Sequence, residues 1–131
     1  MHHSRVVHFE IPADNVDRAK SFYKQAFGWD ISQYPGMEYH MVNTAEIDEK
    51  TRMPKEVGAI NGGMAKRNND TNKTTVITVD VADIDAALKS IEKLGGKMVQ
   101  KKQPVADMGF TAYFKDTEGN IVGLWQSARR M

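Results

Sequence analysis

Residues 5–29, RVVHFEIPADNVDRAKSFYKQAFGW, decide the fold. Val7, Phe9 and Ile11 alternate with His8 and Glu10, so an extended chain puts the apolar three on one face and the polar two on the other. The apolar face needs a cover. Val16, Ala19, Phe22, Tyr23, Ala26 and Phe27 recur at three- and four-residue spacing, the stripe of an amphipathic helix. Pro12 is expected to end the strand. Asp14 or Asn15 is expected to cap the helix by accepting a bond from a free backbone N–H. Gly28 supplies the left-handed residue that closes it. The stretch therefore reads as a strand with a helix packed on its apolar face, and His8 and Glu10 point away from that helix.

A second copy begins near Thr74. Laid over the first without gaps, Phe9 meets Ile77, Ile11 meets Val79, Asn15 meets Asp83 and Val16 meets Ile84. Asp17, Ala19 and Gly28 meet the identical residues Asp85, Ala87 and Gly96. The stripe Ile84, Ala87, Leu88, Ile91 and Leu94 makes the second helix, capped by Asp83 and stopped at Gly95-Gly96. After each helix the chain offers short strands. In the first copy these are Asp30 to Gln33, Glu38 to Thr44, and a glycine-rich run from Gly58 to Ala65, with Ala45 to Glu56 a charged loop between. In the second they are Lys97 to Lys101, Phe110 to Phe114 and Ile121 to Gln126, with a turn at Asp116 to Asn120 and a tail from Ser127. Glycines in a strand often mark close approach of another backbone or a ligand. The expected fold class is α+β: two βαβββ modules, about 5–66 and about 74–126, joined by a polar linker at about 67–73 within one domain of 131 residues.

Composition narrows the function. The formal net charge is +1, with no basic run, so nucleic acid is not an expected partner. There is no cysteine, which removes disulfides, thiol nucleophiles and thiolate metal sites. No apolar run is long enough to span a bilayer, and no signal-peptide core follows the start, so a cytoplasmic protein with no membrane partner is expected. His2 and His3 fit either a tag remnant or native sequence, and both are set aside.

Three motifs carry a resemblance: VVHFEIPADNVDRAKSFYKQAFGW, VDVADIDAALKSIEKLGGK and KDTEGNIVGLWQ. In this order they resemble the vicinal oxygen chelate superfamily, which includes glyoxalase I, extradiol dioxygenases and the fosfomycin and bleomycin resistance proteins. The last motif is similar to the superfamily's Asp-Pro-x-Gly-Asn turn, with Thr117 where proline is usual. The resemblance implies paired βαβββ modules, each sheet curling around a concave pocket, and a homodimer. It also implies a divalent metal held by His, Glu or Gln from the first and last strands of the modules. His8 sits at the first-strand position; its repeat partner is Val76. The last-strand position is Gly123, and matching GNIVGLW to GAINGGM gives Gly62 in the first module. Of four ligand positions only His8 keeps a donor, so no metal is expected. A reduced site using His8, Glu10 and His40 is the alternative.

His8 and Glu10 are the candidate catalytic pair. At i, i+2 in a strand they share a face, and a carboxylate beside an imidazole raises its pKa and orients its ring. Glu10 equally reads as a structural acceptor. Trp125, Met64, Gly62, Gly123, Met41 and Thr78 are the candidate ligand contacts: a flat ring to stack on, adaptable thioethers, space where glycines stand, and a hydroxyl. Met108 is a further thioether that could adapt to a ligand, and Tyr39, Phe110 and Tyr113 are candidates for the rim. The same residues also read as filler of a core between the sheets, the methionines more so than Trp125. The functional expectation is a small apolar or aromatic molecule bound without a metal centre, with or without turnover; the alternative is a metal-dependent lyase, isomerase or dioxygenase built on His8.

Overall fold

The computed structural model describes residues 3–128. His2 and the end of the tail expected from Ser127 lie outside the described residues. The described chain runs β1 (Val6–Ala13), α1 (Val16–Phe27), β2 (Asp30–Gln33), β3 (His40–Asn43), β4 (Gly62–Lys66), β5 (Val76–Asp80), α2 (Ile84–Lys93), β6 (Lys97–Val105), β7 (Gly109–Lys115) and β8 (Ile121–Ser127). This is the expected α+β class, βαβββ twice. Two compact units result: His8–Thr75, and residues 3–7 with 76–128. The backbone N–H of Asp80 donates to the carbonyl of Arg5 at 2.9 Å, which ties the leading residues to the second unit.

In the first unit the strands lie in the order β2-β3-β4-β1. β1 runs parallel to β4 with Glu10 opposite Gly63 and Ile11 opposite Met64. β3 runs antiparallel to β4 with Met41 opposite Gly63. The core lies under α1: Ala13, Val42 and Met64 are buried, packed by Phe9, Ile11, Val16, Ala19, Tyr23, Trp29 and Ile31. α1 starts at Asn15, whose side chain accepts from the Arg18 N–H at 3.0 Å, and closes at Gly28 with φ +73°. Its stripe is only half used. Phe22 and Phe27 remain 62% and 64% exposed, so three- and four-residue spacing overstates what the sheet covers. Pro12 does not end β1; it lies within it, opposite Ala65, because its fixed φ is compatible with extended backbone.

The second unit repeats the plan as β5-β8-β7-β6. β5 is parallel to β8 with Thr78 opposite Gly123 and Val79 opposite Leu124. Its core is Ile84, Leu88, Ala112 and Leu124, flanked by Val79, Val81, Ala87, Ile91, Phe110 and Phe114. α2 is capped by Asp83, which accepts from the Ala86 N–H at 3.2 Å. β6 outruns its expected end at Lys101, continuing with register shifts through Pro104. As the last strand in the order it tolerates a residue without an N–H.

The polar linker and the charged loop are both held by side-chain hydrogen bonds or a backbone bridge. Asn68 Oδ1 accepts from the N–H groups of Asp70 and Thr71 at 2.8 Å, and buried Asn72 bonds the N–H of Asn68 and the carbonyl of Lys66. In the 45–56 loop Ile47 and Pro54 form an antiparallel bridge, and Asp48 Oδ1 accepts from Lys50 and Thr51.

Candidate functional site

Each sheet has one face under its helix and one face away from it. In the first unit the second face carries His8 and Glu10 from β1, Gly63 from β4 and Met41 from β3, by strand alternation and the β1–β4–β3 register. Tyr39, just ahead of β3, points the same way. Its phenol crosses β4 above Gly63 and its Oη lies 2.8 Å from His8 Nε2. A Cβ built on Gly63 would overlap the Tyr39 hydroxyl, so glycine at 63 is a condition for this contact.

Burial sets the electrostatics. It lowers the pKa of His8 from 6.5 to about 4, because a charged imidazole would lose its hydration. Burial, and secondarily the negative charge of Glu10, push the Tyr39 phenol well above the usual tyrosine range. At neutral pH both partners are uncharged. The expectation that Glu10 would raise the His8 pKa is thus corrected: desolvation wins, and the group on His8 Nε2 is a phenol.

Two faces are also corrected. Gly62 and Met64 were expected on the His8 face. They lie on the helix side: Met64 is fully buried among Ala13, Val42 and the α1 residues, and a Cβ on Gly62 would press on Phe9. The repeat match was off by one. Thr78 opposite Gly123 corresponds to Glu10 opposite Gly63, so Gly63, not Gly62, takes the last-strand position of the first unit. A slip of one residue turns every side chain to the other face, and GAINGG offers no alternation to prevent it. His40, opposite Met64, lies on the helix side as well, so it does not converge with His8 and Glu10. Its buried Nδ1 has no hydrogen-bond partner.

In the second unit Thr78, Gly123 and Trp125 share the face away from α2, with Tyr113 opposite Gly123 and Thr111 opposite Trp125. Thr78 Oγ1 is buried without a hydrogen-bond partner and would sit 2.9 Å from a Cβ on Gly123. The Trp125 ring lies over Gly109, 2.8 Å from the Cβ that glycine lacks. Phe110 belongs to the helix-side core. Met108 is 37% exposed in the β6–β7 turn. Asp116 shapes the next turn: its Oδ1 accepts from Glu118 and Asn120 at 2.9 Å, and the bonds from Asn120 first of all hold its pKa below the usual carboxylate range. Sequence reasoning placed Tyr39 only at the rim. The usable signal was the Gly62-Gly63 pair beside an aromatic of the neighbouring strand.

The sequence profile of the Glyoxalase/Bleomycin resistance protein/Dioxygenase superfamily matches residues 5–124. The chain belongs to that superfamily. It is 26% identical over 122 residues to a "glyoxylase-like domain-containing protein" of Didymella fabae, covering 90% of each chain. Among solved structures it is similar to a hypothetical protein of Bacillus halodurans C-125 (TM-score 0.65, 11% identity, 99% of each chain). It is similar also to methylmalonyl-CoA epimerase of Streptomyces coelicolor bound to 2-nitronate-propionyl-CoA (TM-score 0.63, 16% identity, 96% of each chain). These structural likenesses show the fold.

Members of this superfamily often use a divalent metal. The side chains at the four matching positions do not fit one: His8 brings an imidazole, while Val76, Gly63 and Gly123 bring no donor. Hard and borderline cations need several converging N or O ligands. Among the described residues no three His, Asp or Glu side chains come together as such a group.

Proposed function

We propose that this chain binds a small apolar or aromatic molecule without a resident metal, on a glyoxalase-like scaffold, and works as a homodimer. The observation that carries the reading is the Tyr39 phenol on His8 Nε2: the one donor retained at a family ligand position is already engaged by the protein. Candidate contacts in the first unit are His8, Glu10 and Met41; in the second they are Thr78, Gly123 and Trp125. A flat indole and a glycine beside it suit a planar or apolar ligand. Pairing of chains rests on the family resemblance.

The test is a thermal-shift screen of aromatic, apolar and acyl-CoA compounds in the presence of EDTA, followed by calorimetry of each hit. Acyl-CoA thioesters are included because the solved epimerases hold them. Trp125→Ala with Glu10→Gln is expected to weaken every genuine hit by about tenfold or more, equivalent to about 1.4 kcal/mol. Unchanged affinity for all hits sinks the reading. Light scattering of the same protein measures the dimer.

A further inference from the structure

We infer that Tyr39 is a built-in occupant of the metal-ligand seat of the first unit. It is the residue that makes His8 a hydrogen-bonded imidazole rather than a metal ligand. The inference deepens the proposed metal-free reading and rests on it.

Three observations meet at one point. The register puts Gly63 beside Glu10, at the position equivalent to Gly123 beside Thr78, which is where the family resemblance expects the last-strand carboxylate. The volume that a side chain at 63 would enter is filled by the Tyr39 hydroxyl and its ring. That hydroxyl is 2.8 Å from His8 Nε2. The place of a ligand side chain is therefore not a gap: a phenol from just ahead of the neighbouring strand fills it.

The chemistry assigns the proton. A phenol O–H is the stronger donor of the two, and an imidazole sp² nitrogen is the stronger acceptor. Tyr39 thus donates to Nε2, and His8 carries its own proton on Nδ1. With its lone pair engaged, Nε2 cannot ligate a cation or take a proton from a substrate until the phenol leaves. Tyr39 is a positioning residue here: it acts through His8.

Nickel titration calorimetry tests this on a chain carrying His2→Ala and His3→Ala. That background is expected to show no saturable nickel binding. Tyr39→Ala releases Nε2 beside Glu10 and is expected to give a saturable nickel isotherm that the background lacks. Tyr39→Ala with Gly63→Glu, which returns a carboxylate to the seat, is expected to bind more tightly again. Adding His8→Ala is expected to abolish both gains. A background chain that binds nickel through His8 overturns the inference, and so do folded Tyr39 variants that bind no better than it. The unaltered chain supplies a reading that needs no variant: long-range ¹⁵N–¹H spectra are expected to show Nδ1 protonated and Nε2 bare, and a proton on Nε2 overturns the assignment. The proposed function fails on ligand affinity in EDTA, whereas this inference fails on nickel and on the imidazole proton, so the two failures are separable.

Discussion

At the scale of single residues, the contact among His8, Tyr39 and Gly63 makes two predictions. Gly63→Ala puts a methyl group where the Tyr39 phenol lies, so the ring must leave and its bond to His8 is lost. Overpacking of this kind costs about 1–3 kcal/mol. In the Tyr39→Ala background the clash is gone, so the two changes are not additive; a double-mutant cycle by urea denaturation is expected to give a coupling of about 1 kcal/mol or more. Additive costs would place the phenol elsewhere. The second prediction concerns pH. His8 titrates at about 4 in the folded chain and at 6.5 when exposed, so between these values the unfolded chain binds the proton first. The stability from a neutral His8 is fully present above pH 6.5 and is lost as pH falls towards 4. The shift is worth up to about 3 kcal/mol. His8→Gln is expected to flatten this part of the stability–pH curve, leaving the carboxylate contribution at lower pH. A curve of unchanged slope between pH 6.5 and 4 counts against a buried neutral imidazole.

At the scale of elements, the parts that sequence made legible are those with a local physical signature. Alternation gave β1 and β5, cap residues gave the starts of both helices, and Gly28 gave the end of α1. Between the two expected caps the structure selects Asn15, and Asn15→Ala is expected to cost about 1 kcal/mol in chemical denaturation. Asp14 instead pairs with Arg67 Nε at 2.9 Å, with both side chains well exposed, so Asp14→Ala is expected to cost less. The reverse order of costs would mean that the cap is Asp14. What sequence did not give were features decided by neighbours. The strand phase of GAINGGM is carried by glycines, which lack the side chains that make alternation visible. The rim aromatic Tyr39 sits in EYHMVN, where polar and apolar residues mix on both faces. β6 is expected to end at Lys101 but continues through Pro104, which its place at the end of the strand order makes tolerable. His8 was legible as a retained donor; its partner was not, because a 31-residue separation in the chain carries no spacing rule.

At the scale of the whole molecule, the two units keep the helix-side positions of the repeat alike and let the other face diverge. Ile11 and Val79 occupy equivalent places, as do Met64 and Leu124, and each residue packs beneath the helix of its own unit. On the other face His8 answers to Val76 and Glu10 to Thr78, while glycine stands at 63 and 123. A core can keep its plan only where volume is conserved, whereas a binding face is free to change its chemistry. Two methionines of the first unit separate these roles. Met64 is fully buried under α1, so Met64→Ala is expected to cost about 2–5 kcal/mol of stability. In the fraction that remains folded, ligand affinity is expected to stay as it was. Met41 lies on the Gly63 face and is only partly buried. Met41→Ala is expected to weaken ligand binding while costing less stability than the Met64 change. The comparison needs only a melting curve and a binding isotherm for each variant. If Met64→Ala weakens binding in folded protein while Met41→Ala does not, the ligand face lies under the helix, and the face assigned to His8 and Glu10 is the wrong one.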